Sequence, residues 1–383
     1  MRNVHISLCV ATAVTAAATA LTITPAHADE AWFGPKVDSS INNSAGPGPA
    51  PRGAATADFN EDGHPDLVSI GDFTLGDLRV SLGHGDGTFA AASTVPGSAQ
   101  TQGIDVGDLN GDGHADVIAM SVYDAKIFAG DGNGNFSRIG TYSLTLGGQV
   151  QPLIVDLDGD GDNDVVAPSF TSIQALVNNG DGTFTKKSTW VLGASVLSGI
   201  AVADLDADAK ADLFAVDGLS GTTFALKGNG NGTFTLKSSM YASAFIPEDV
   251  AAIDLNGDGY DDAATIGSFS FSLATGLTDG NGAFTSPIPA TFQFGGPGPT
   301  SAAVADFNAD GKDDLVVSSL ANPLAGTLTV LAGDGTPGMR AAGSYASAAF
   351  PQNPVLADYD GDGDIDIAVV APGTISFLPN TLH

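Results

Sequence analysis

The sequence predicts an all-β protein built from seven similar units. An acidic nine-residue motif occurs seven times, a glycine-rich turn motif follows most of its copies, and short apolar runs without helical periodicity lie between them. Units of about 50 residues with four strands each, repeated around an axis, form the blades of a β-propeller. The predicted fold is therefore a seven-bladed β-propeller with four-stranded blades.

The acidic motif has the spacing of a calcium loop. Carboxylate or amide groups stand at positions 1, 3, 5 and 9, and six of the seven copies have glycine at position 6. Ca²⁺ takes six to eight oxygen ligands, which a tight loop can supply from alternate residues. Glycine at position 6 permits a left-handed backbone, and position 7 would offer its carbonyl, so its side chain can vary. The sequence predicts up to seven bound Ca²⁺ ions.

The candidate ligands occupy the same five positions in each copy, and the copies are called loops 1 to 7. Position 1 is Asp58, Asp108, Asp156, Asp204, Asp254, Asp306 and Asp358. Position 3 is Asn60, Asn110, Asp158, Asp206, Asn256, Asn308 and Asp360. Position 5 is Asp62, Asp112, Asp160, Asp208, Asp258, Asp310 and Asp362, and position 7 is His64, His114, Asp162, Lys210, Tyr260, Lys312 and Asp364. Position 9 is Asp66, Asp116, Asp164, Asp212, Asp262, Asp314 and Asp366.

The residues after each motif distinguish it from an EF-hand, which needs a glutamate at position 12. Position 12 here is Ser69, Ala119, Ala167, Ala215, Thr265, Val317 and Val369. Each motif runs directly into a short apolar segment such as 66–70, which is typical of a strand. We therefore expect each calcium loop to join two strands.

The second motif reads Gly-Asp-Gly-Thr-Phe or a close variant. It occurs at 85–89, 132–136, 180–184, 230–234 and 280–284, with a degenerate copy at 333–337. Such runs between apolar segments are hairpin turns, and the phenylalanine should pack between neighbouring sheets. A single match to G-x-G-x-x-G occurs, at 333–338, but no helical pattern follows it and no Walker pattern is present, which disfavours a nucleotide-binding loop.

The two ends of the chain predict how the ring closes. The seventh unit stops after its third strand, whereas residues 31–37 match the segment that follows the turn motif in other units. The N-terminal strand should therefore complete the last blade, which pairs an edge that would otherwise be exposed.

Residues 1–28 have the pattern of a secretory signal peptide, so the propeller should span residues 29–383. Arg2 precedes an apolar stretch at 6–24, and Ala26-His27-Ala28 is a small-x-small cleavage site. The only cysteine, Cys9, lies in this segment, so the secreted chain would have no disulfides. Bound metal could stabilise it instead, because an ion that binds only the folded state adds to its stability.

The charge excludes one class of partner. The chain has 44 acidic and 13 basic residues, a formal charge of −31, and 29 of the acidic residues lie in the seven motifs. A surface this acidic cannot bind nucleic acid by neutralising phosphates. We further expect a monomer without a membrane span.

The paired motifs resemble FG-GAP, or VCBS-type, repeats, which form the calcium-loop propeller of integrin α-subunit heads. The resemblance covers about residues 31–383 and rests on the repeated D-x-[DN]-x-D-G-x-x-D pattern. It implies Ca²⁺ ligands at the positions given above. Integrin heads keep the loop in only some blades, whereas all seven units have it here. The family does not imply one activity.

Two classes of function stay open. The first is a lectin-like or adhesion-like module that binds an extracellular glycan or protein, for which the candidate stacking residues are Tyr123, Trp190, Tyr241 and Tyr345. Residues of this kind are more often part of ordinary blade packing. The alternative is a carbohydrate-active enzyme, a polysaccharide lyase or glycosidase, using a carboxylate pair such as Glu248-Asp249. The absence of G-x-S-x-G, H-E-x-x-H and a cysteine nucleophile favours the binding module.

Loop 4 departs from the pattern because Ala209 replaces the glycine at position 6. A left-handed alanine costs roughly 1 kcal/mol. We therefore expect loop 4 to bind Ca²⁺ more weakly than the others without losing it. Loops 3 and 7, which have aspartate at all five ligand positions, should bind most tightly.

Overall fold

The computed structural model describes residues 31–41, 53–71, 76–144, 151–191, 193–241, 247–267, 272–293, 298–322, 325–349, 351 and 353–382. The predicted signal peptide lies outside these ranges. Within them the chain forms 28 β-strands and no helix, grouped into seven four-stranded sheets. The prediction of an all-β, seven-bladed propeller is confirmed.

The strands follow the chain from blade to blade. Strand β1 is Val37–Ser40, and blade 1 contains β2 Ala54–Ala57, β3 Asp66–Ile70, β4 Leu78–Ser81 and β5 Ser93–Thr94. Blade 2 contains β6 Gly103–Gly107, β7 Asp116–Met120, β8 Asp124–Gly130 and β9 Phe136–Ser143. Blade 3 contains β10 Leu153–Val155, β11 Asp164–Pro168, β12 Ser172–Asn178 and β13 Phe184–Trp190.

The remaining blades repeat this order. Blade 4 contains β14 Leu197–Ala203, β15 Asp212–Asp217, β16 Thr222–Gly228 and β17 Phe234–Tyr241. Blade 5 contains β18 Pro247–Ile253, β19 Asp262–Gly267, β20 Ser272–Thr278 and β21 Phe284–Gln293. Blade 6 contains β22 Pro299–Ala305, β23 Asp314–Asn322, β24 Ala325–Gly333 and β25 Met339–Ser347, and blade 7 contains β26 Pro354–Ala357, β27 Asp366–Ala371 and β28 Thr374–Leu378.

The first strands of the blades form the inner wall of the ring. Each contacts the first strand of the next blade, and β2 contacts both β6 and β26, so the ring is closed. Several of these strands are rich in alanine, as in Ala54–Ala57 and Pro299–Ala305. Small side chains suit this wall because the strands converge there and leave little room between them.

Hydrophobic packing holds each sheet against the next. Six of the seven second strands are buried along their whole length, as in Asp66–Ile70 and Asp116–Met120. One apolar cluster joins Val68 and Val80 of blade 1 to Val117 and Phe128 of blade 2. The burial of apolar area between sheets is therefore the main stabilising term of the ring.

The phenylalanine of the turn motif packs on the preceding blade, as expected. The ring of Phe136 meets Phe59 of blade 1 edge-on at 5.2 Å between centroids. Phe89 meets Tyr359 of blade 7 at 5.6 Å, and Phe284 stacks on Phe214 of blade 4 at 5.8 Å. The turns of blades 1, 2, 3 and 5 therefore each anchor their own blade to the preceding one through an aromatic pair.

The N-terminal strand completes blade 7, which confirms the predicted closure. Strand β1 pairs antiparallel with β28, with Val37 opposite Phe377 and Ser40 opposite Thr374. Phe33, which is buried, lies between Phe307 and Tyr345 of blade 6, with centroids at 5.4 Å from each. The first and last segments of the chain are thus held in one sheet.

Deletion of residues 29–40 should destabilise the ring. It removes the partner of β28 and the burial of Phe33, which alone is worth about 2 kcal/mol, and it leaves an open strand edge. We expect a melting temperature lower by about 5 °C or more and aggregation in size-exclusion chromatography. Removal of residues 29 and 30 alone serves as the control. A long truncation that melts and elutes like the control would contradict the closure.

Candidate metal centres

The seven acidic loops lie at one end of the ring, called the loop end. Each loop connects the first and second strands of its blade, and the turn between the third and fourth strands lies at the same end because the strands alternate in direction. The N–H of Gly134, in the turn of blade 2, donates to the carbonyl oxygen of Phe59 in loop 1 at 2.8 Å. Adjacent blades therefore meet at these loops.

The aspartate at position 9 bridges its loop and its turn. In blade 2, Asp116 Oδ2 accepts the N–H of Leu109 at 2.9 Å, and Oδ1 accepts the N–H of Gly130 at 2.9 Å. All seven blades have this pair of bonds, at 2.6 to 3.2 Å. All seven carboxylates are fully buried. Each position-9 aspartate is therefore a structural residue as well as a candidate ligand.

The aspartates at positions 1 and 5 shape the loop itself. Asp108 accepts the N–H groups of Gly111 and Gly113 at 2.7 and 2.9 Å, and Asp112 Oδ1 accepts the N–H of His114 at 2.9 Å. The glycine at position 6 has a φ of 81° to 95° in six loops, and Ala209 has a φ of 62°. The expected left-handed backbone, including that of Ala209, is confirmed.

Three loops bring three carboxylates together. Where position 3 is aspartate, the oxygens of positions 1, 3 and 9 lie within 4.8 Å of one another, as in Asp156, Asp158 and Asp164 of loop 3. Loops 4 and 7 have the same group. In all three loops one oxygen of the position-3 aspartate is buried without a hydrogen-bond partner, namely Oδ1 of Asp158, Asp206 and Asp360. A buried carboxylate oxygen without a donor is costly, so these sites fit a hard cation such as Ca²⁺.

The electrostatics of the loops also favour a cation. Burial raises the pKa of the position-9 carboxyls, to about 6 for Asp116 and Asp164 and to about 7 for Asp262 and Asp366. Carboxylates elsewhere in the loop raise these pKa values further, while the backbone N–H groups lower them. Folding therefore brings several carboxylates of one loop close together, and a bound cation would reduce the repulsion between them.

The side chain at position 7 has a packing role that the sequence did not reveal. It covers the first glycine of the turn in its own blade: His64 lies over Gly85, and Tyr260 lies over Gly280. A Cβ at these glycines would come within 2.3 and 2.6 Å of the covering side chain. Side chains of very different shape can occupy position 7, because the glycine beneath them has no side chain of its own to limit the space.

Neighbouring loops are also linked directly, through residues that were not among the candidate ligands. Asp261, at position 8 of loop 5, accepts the N–H of Asp204 at 2.7 Å, and Asp313 of loop 6 accepts the N–H of Asp254 at 3.1 Å. Glu61 of loop 1 pairs with His114 of loop 2. The spacing within one motif carries no signal for these contacts, because each partner lies on another blade.

The two carboxylates considered for an enzyme, Glu248 and Asp249, lie in different environments. Glu248 is exposed, whereas Asp249 accepts hydrogen bonds from Ser301 Oγ at 3.0 Å and from the N–H of Ala302 at 3.4 Å, both on blade 6. Burial raises the pKa of Asp249 to about 6. This carboxyl joins the inner strands of blades 5 and 6, which is a structural task.

The candidate stacking residues differ in their exposure to solvent. Tyr345 packs against Phe33, and its hydroxyl accepts the N–H of Trp32 at 2.9 Å, so it belongs to the closure of the ring. Tyr123 and Tyr241 are 65% and 63% exposed. The side chain of Trp190 lies outside the part of the chain that is described. Tyr123 and Tyr241 are thus available to a ligand.

Among the described residues, no helix has the length and apolar character needed to cross a membrane. No curated protein matches the chain.

Solved structures share the fold at low sequence identity. A BBS1N chain solved in complex with ARL6DN has a TM-score of 0.63 at 11% identity, covering 92% of this chain and 98% of that one. A lectin from Agrocybe aegerita that recognises non-reducing terminal N-acetylglucosamine has a TM-score of 0.57 at 20% identity, covering 86% of each chain. A protein from Lactobacillus plantarum has a TM-score of 0.57 at 16% identity, covering 79% of this chain and 86% of that one.

Family models match the same repeats that carry the loops. The FG-GAP-like repeat matches residues 58–119, 156–215 and 205–265, and the FG-GAP repeat matches residues 298–331. Together these matches span just over half of the chain. The chain therefore belongs to the FG-GAP repeat family.

Proposed function

We propose that this chain is a secreted β-propeller that Ca²⁺ stabilises and that binds an extracellular glycan or protein. The observation that carries the metal assignment is the buried, unpartnered carboxylate oxygen in loops 3 and 7, set among two further carboxylates. Side chains at positions 1, 3, 5 and 9 and the carbonyl at position 7 would hold the ion, which supplies positive charge to an acidic loop.

Calcium should raise the stability of the folded chain. An ion at 100 times its Kd contributes about 2.7 kcal/mol per site, and several loops contribute together. We expect excess EGTA to lower the melting temperature by about 10 °C or more, and added Ca²⁺, but not Na⁺ at equal ionic strength, to restore it. Differential scanning calorimetry measures both. An identical melt in excess chelator would contradict the assignment.

A paired variant separates the metal effect from general surface charge. Asp158→Ala removes the unpartnered oxygen of loop 3, so it should lower the melting temperature in Ca²⁺ but not in EGTA, where it relieves repulsion. Asp181→Asn, in the turn of the same blade, removes one negative charge outside the metal site and serves as the control. Equal effects in both conditions would assign Asp158 a purely structural role.

The end of the ring opposite the loops is the surface that we assign to ligand binding. The hairpins between second and third strands lie there and carry Tyr123, Phe170 and Leu219 on blades 2, 3 and 4, with exposed fractions of 65%, 42% and 74%. Tyr241 stands at the same end of blade 4, at the last residue of β17. Exposed aromatic and apolar side chains on successive blades suit stacking against sugar rings or packing against a protein.

Binding should depend on this surface. We expect the calcium-loaded chain to bind on a glycan array, which should include N-acetylglucosamine-terminated glycans because a lectin of similar fold recognises that sugar. Tyr123→Ala should then weaken binding by about tenfold, or about 1.4 kcal/mol. Ile139→Ala, which changes an exposed apolar residue on β9 of the same blade, is the control. Equal affinities for the two variants would place the ligand elsewhere.

Secretion is testable at the N-terminus. Expression of residues 1–383 in a secreting bacterial host should release a chain that begins at Asp29, because cleavage should follow Ala28. Edman sequencing of the exported protein identifies its first residue. A chain that stays in the cell uncleaved, or that begins far from Asp29, would contradict the signal peptide.

A further inference from the structure

Loop 4 differs from the other loops because two lysine ammonium groups contact its candidate ligands at close range, whereas loop 6 has a single longer pair, between Lys312 Nζ and Asp310 Oδ2 at 3.9 Å. Lys227 Nζ pairs with Asp206 Oδ2, at position 3, and lies 3.0 Å from Asp208 Oδ2, at position 5. Lys210 Nζ, from position 7, lies 3.0 Å from the same Asp208 oxygen. A cation is therefore already in place between two of the carboxylates that a metal would use.

The place of Lys227 in its blade makes this contact specific to loop 4. It precedes Gly228, the residue at the end of β16 whose N–H donates to Asp212 Oδ1 at 2.7 Å. The residue that precedes the equivalent donor is uncharged in every other blade. These residues are Leu82, Ala129, Val177, Leu277, Ala332 and Pro379. The other six blades thus provide an internal comparison in which no lysine can reach the loop from this position.

The backbone of loop 4 is also less suited to closing around a metal. In the other six described loops, the glycine at position 6 donates its N–H to the position-1 aspartate at 2.7 to 3.0 Å. No such bond joins Ala209 and Asp204 in the described loop 4, where Asp204 accepts the N–H of Asp206 at 3.3 Å and that of Ala207 at 2.7 Å. Asp204 is exposed, whereas the other position-1 aspartates are half-buried.

We propose that the Lys227 ammonium is the resident cation of loop 4, so that the chain binds six Ca²⁺ ions and loop 4 keeps its fold without one. The proposal rests on the calcium assignment of the other loops. It goes beyond the expectation from Ala209 alone, which predicts a weak site. An ammonium and a Ca²⁺ ion would compete for the same carboxylate oxygens and repel each other.

The charge balance of the loop agrees with this assignment. Lys227 and Lys210 place two ammonium groups against the carboxylates of Asp206 and Asp208. Asp204, Asp206 and Asp212 still stand close together, and Asp206 Oδ1 has no hydrogen-bond partner, because Lys227 uses only the other oxygen of Asp206. Loop 4 therefore keeps the shape of a metal site, while lysine ammonium groups of the same chain neutralise part of its negative charge.

Counting bound ions tests the proposal directly. The chain spanning residues 29–383 is stripped with EGTA, dialysed to equilibrium against saturating Ca²⁺, and analysed for calcium by atomic emission. We expect six ions per chain for the wild type and seven for Lys227→Leu combined with Ala209→Gly, which gives loop 4 the residues of loop 5 at both positions. Lys227→Arg, which keeps the charge, and Lys237→Leu, which removes a lysine from β17 of the same blade, should both stay at six.

Hydrogen exchange provides a readout that needs no variant. In EGTA, the amides of loop 4 in the wild type should keep their protection while those of loops 3 and 7 lose it. Seven ions in the wild type, or a loop 4 that opens with the others in EGTA, would overturn the proposal. So would a double variant that folds and still binds six ions. A wild type that binds no Ca²⁺ would instead refute the calcium assignment itself.

Discussion

The buried aspartate at the start of each second strand is the interaction on which the propeller depends. Its two oxygens accept one N–H from the acidic loop and one from the end of the third strand, so a single carboxylate fixes the loop, the turn and the strand between them. The residue is fully buried in all seven blades. Such a charge is costly in an apolar core unless its hydrogen bonds and a nearby cation compensate it.

This constraint would link the binding of a metal ion to the assembly of the ring. The turn that each aspartate holds also reaches the preceding blade, since Gly87 donates to the carbonyl oxygen of Tyr359 and Gly134 donates to that of Phe59. The acidic loops therefore sit at the seams between blades. A cation that neutralises one loop would stabilise two blades, in a propeller whose residues 31–383 include no cysteine.

The seven blades share one fold, but individual blades have features that the others lack. Blade 7 takes its fourth strand from the N-terminus, and Tyr345 and Phe33 seal that junction. In blade 4, Lys227 forms an ion pair with Asp206 of the acidic loop. Blades 2 to 4 present Tyr123, Phe170 and Leu219 at the opposite end. The repeat supplies a rigid ring, and residues outside its motifs make each blade different.

The sequence by itself determined the seven blades, the strand order and the closure, because these follow from short periodic patterns and from the unmatched ends of the chain. The same patterns predict the candidate metal ligands. Only the tertiary structure decided that Lys227 reaches Asp206, that Asp261 holds loop 4, and that Tyr345 is a packing residue. The first two contacts join residues 21 and 57 positions apart. A repeating pattern in the sequence cannot predict such contacts, because they depend on how one strand or blade packs against another.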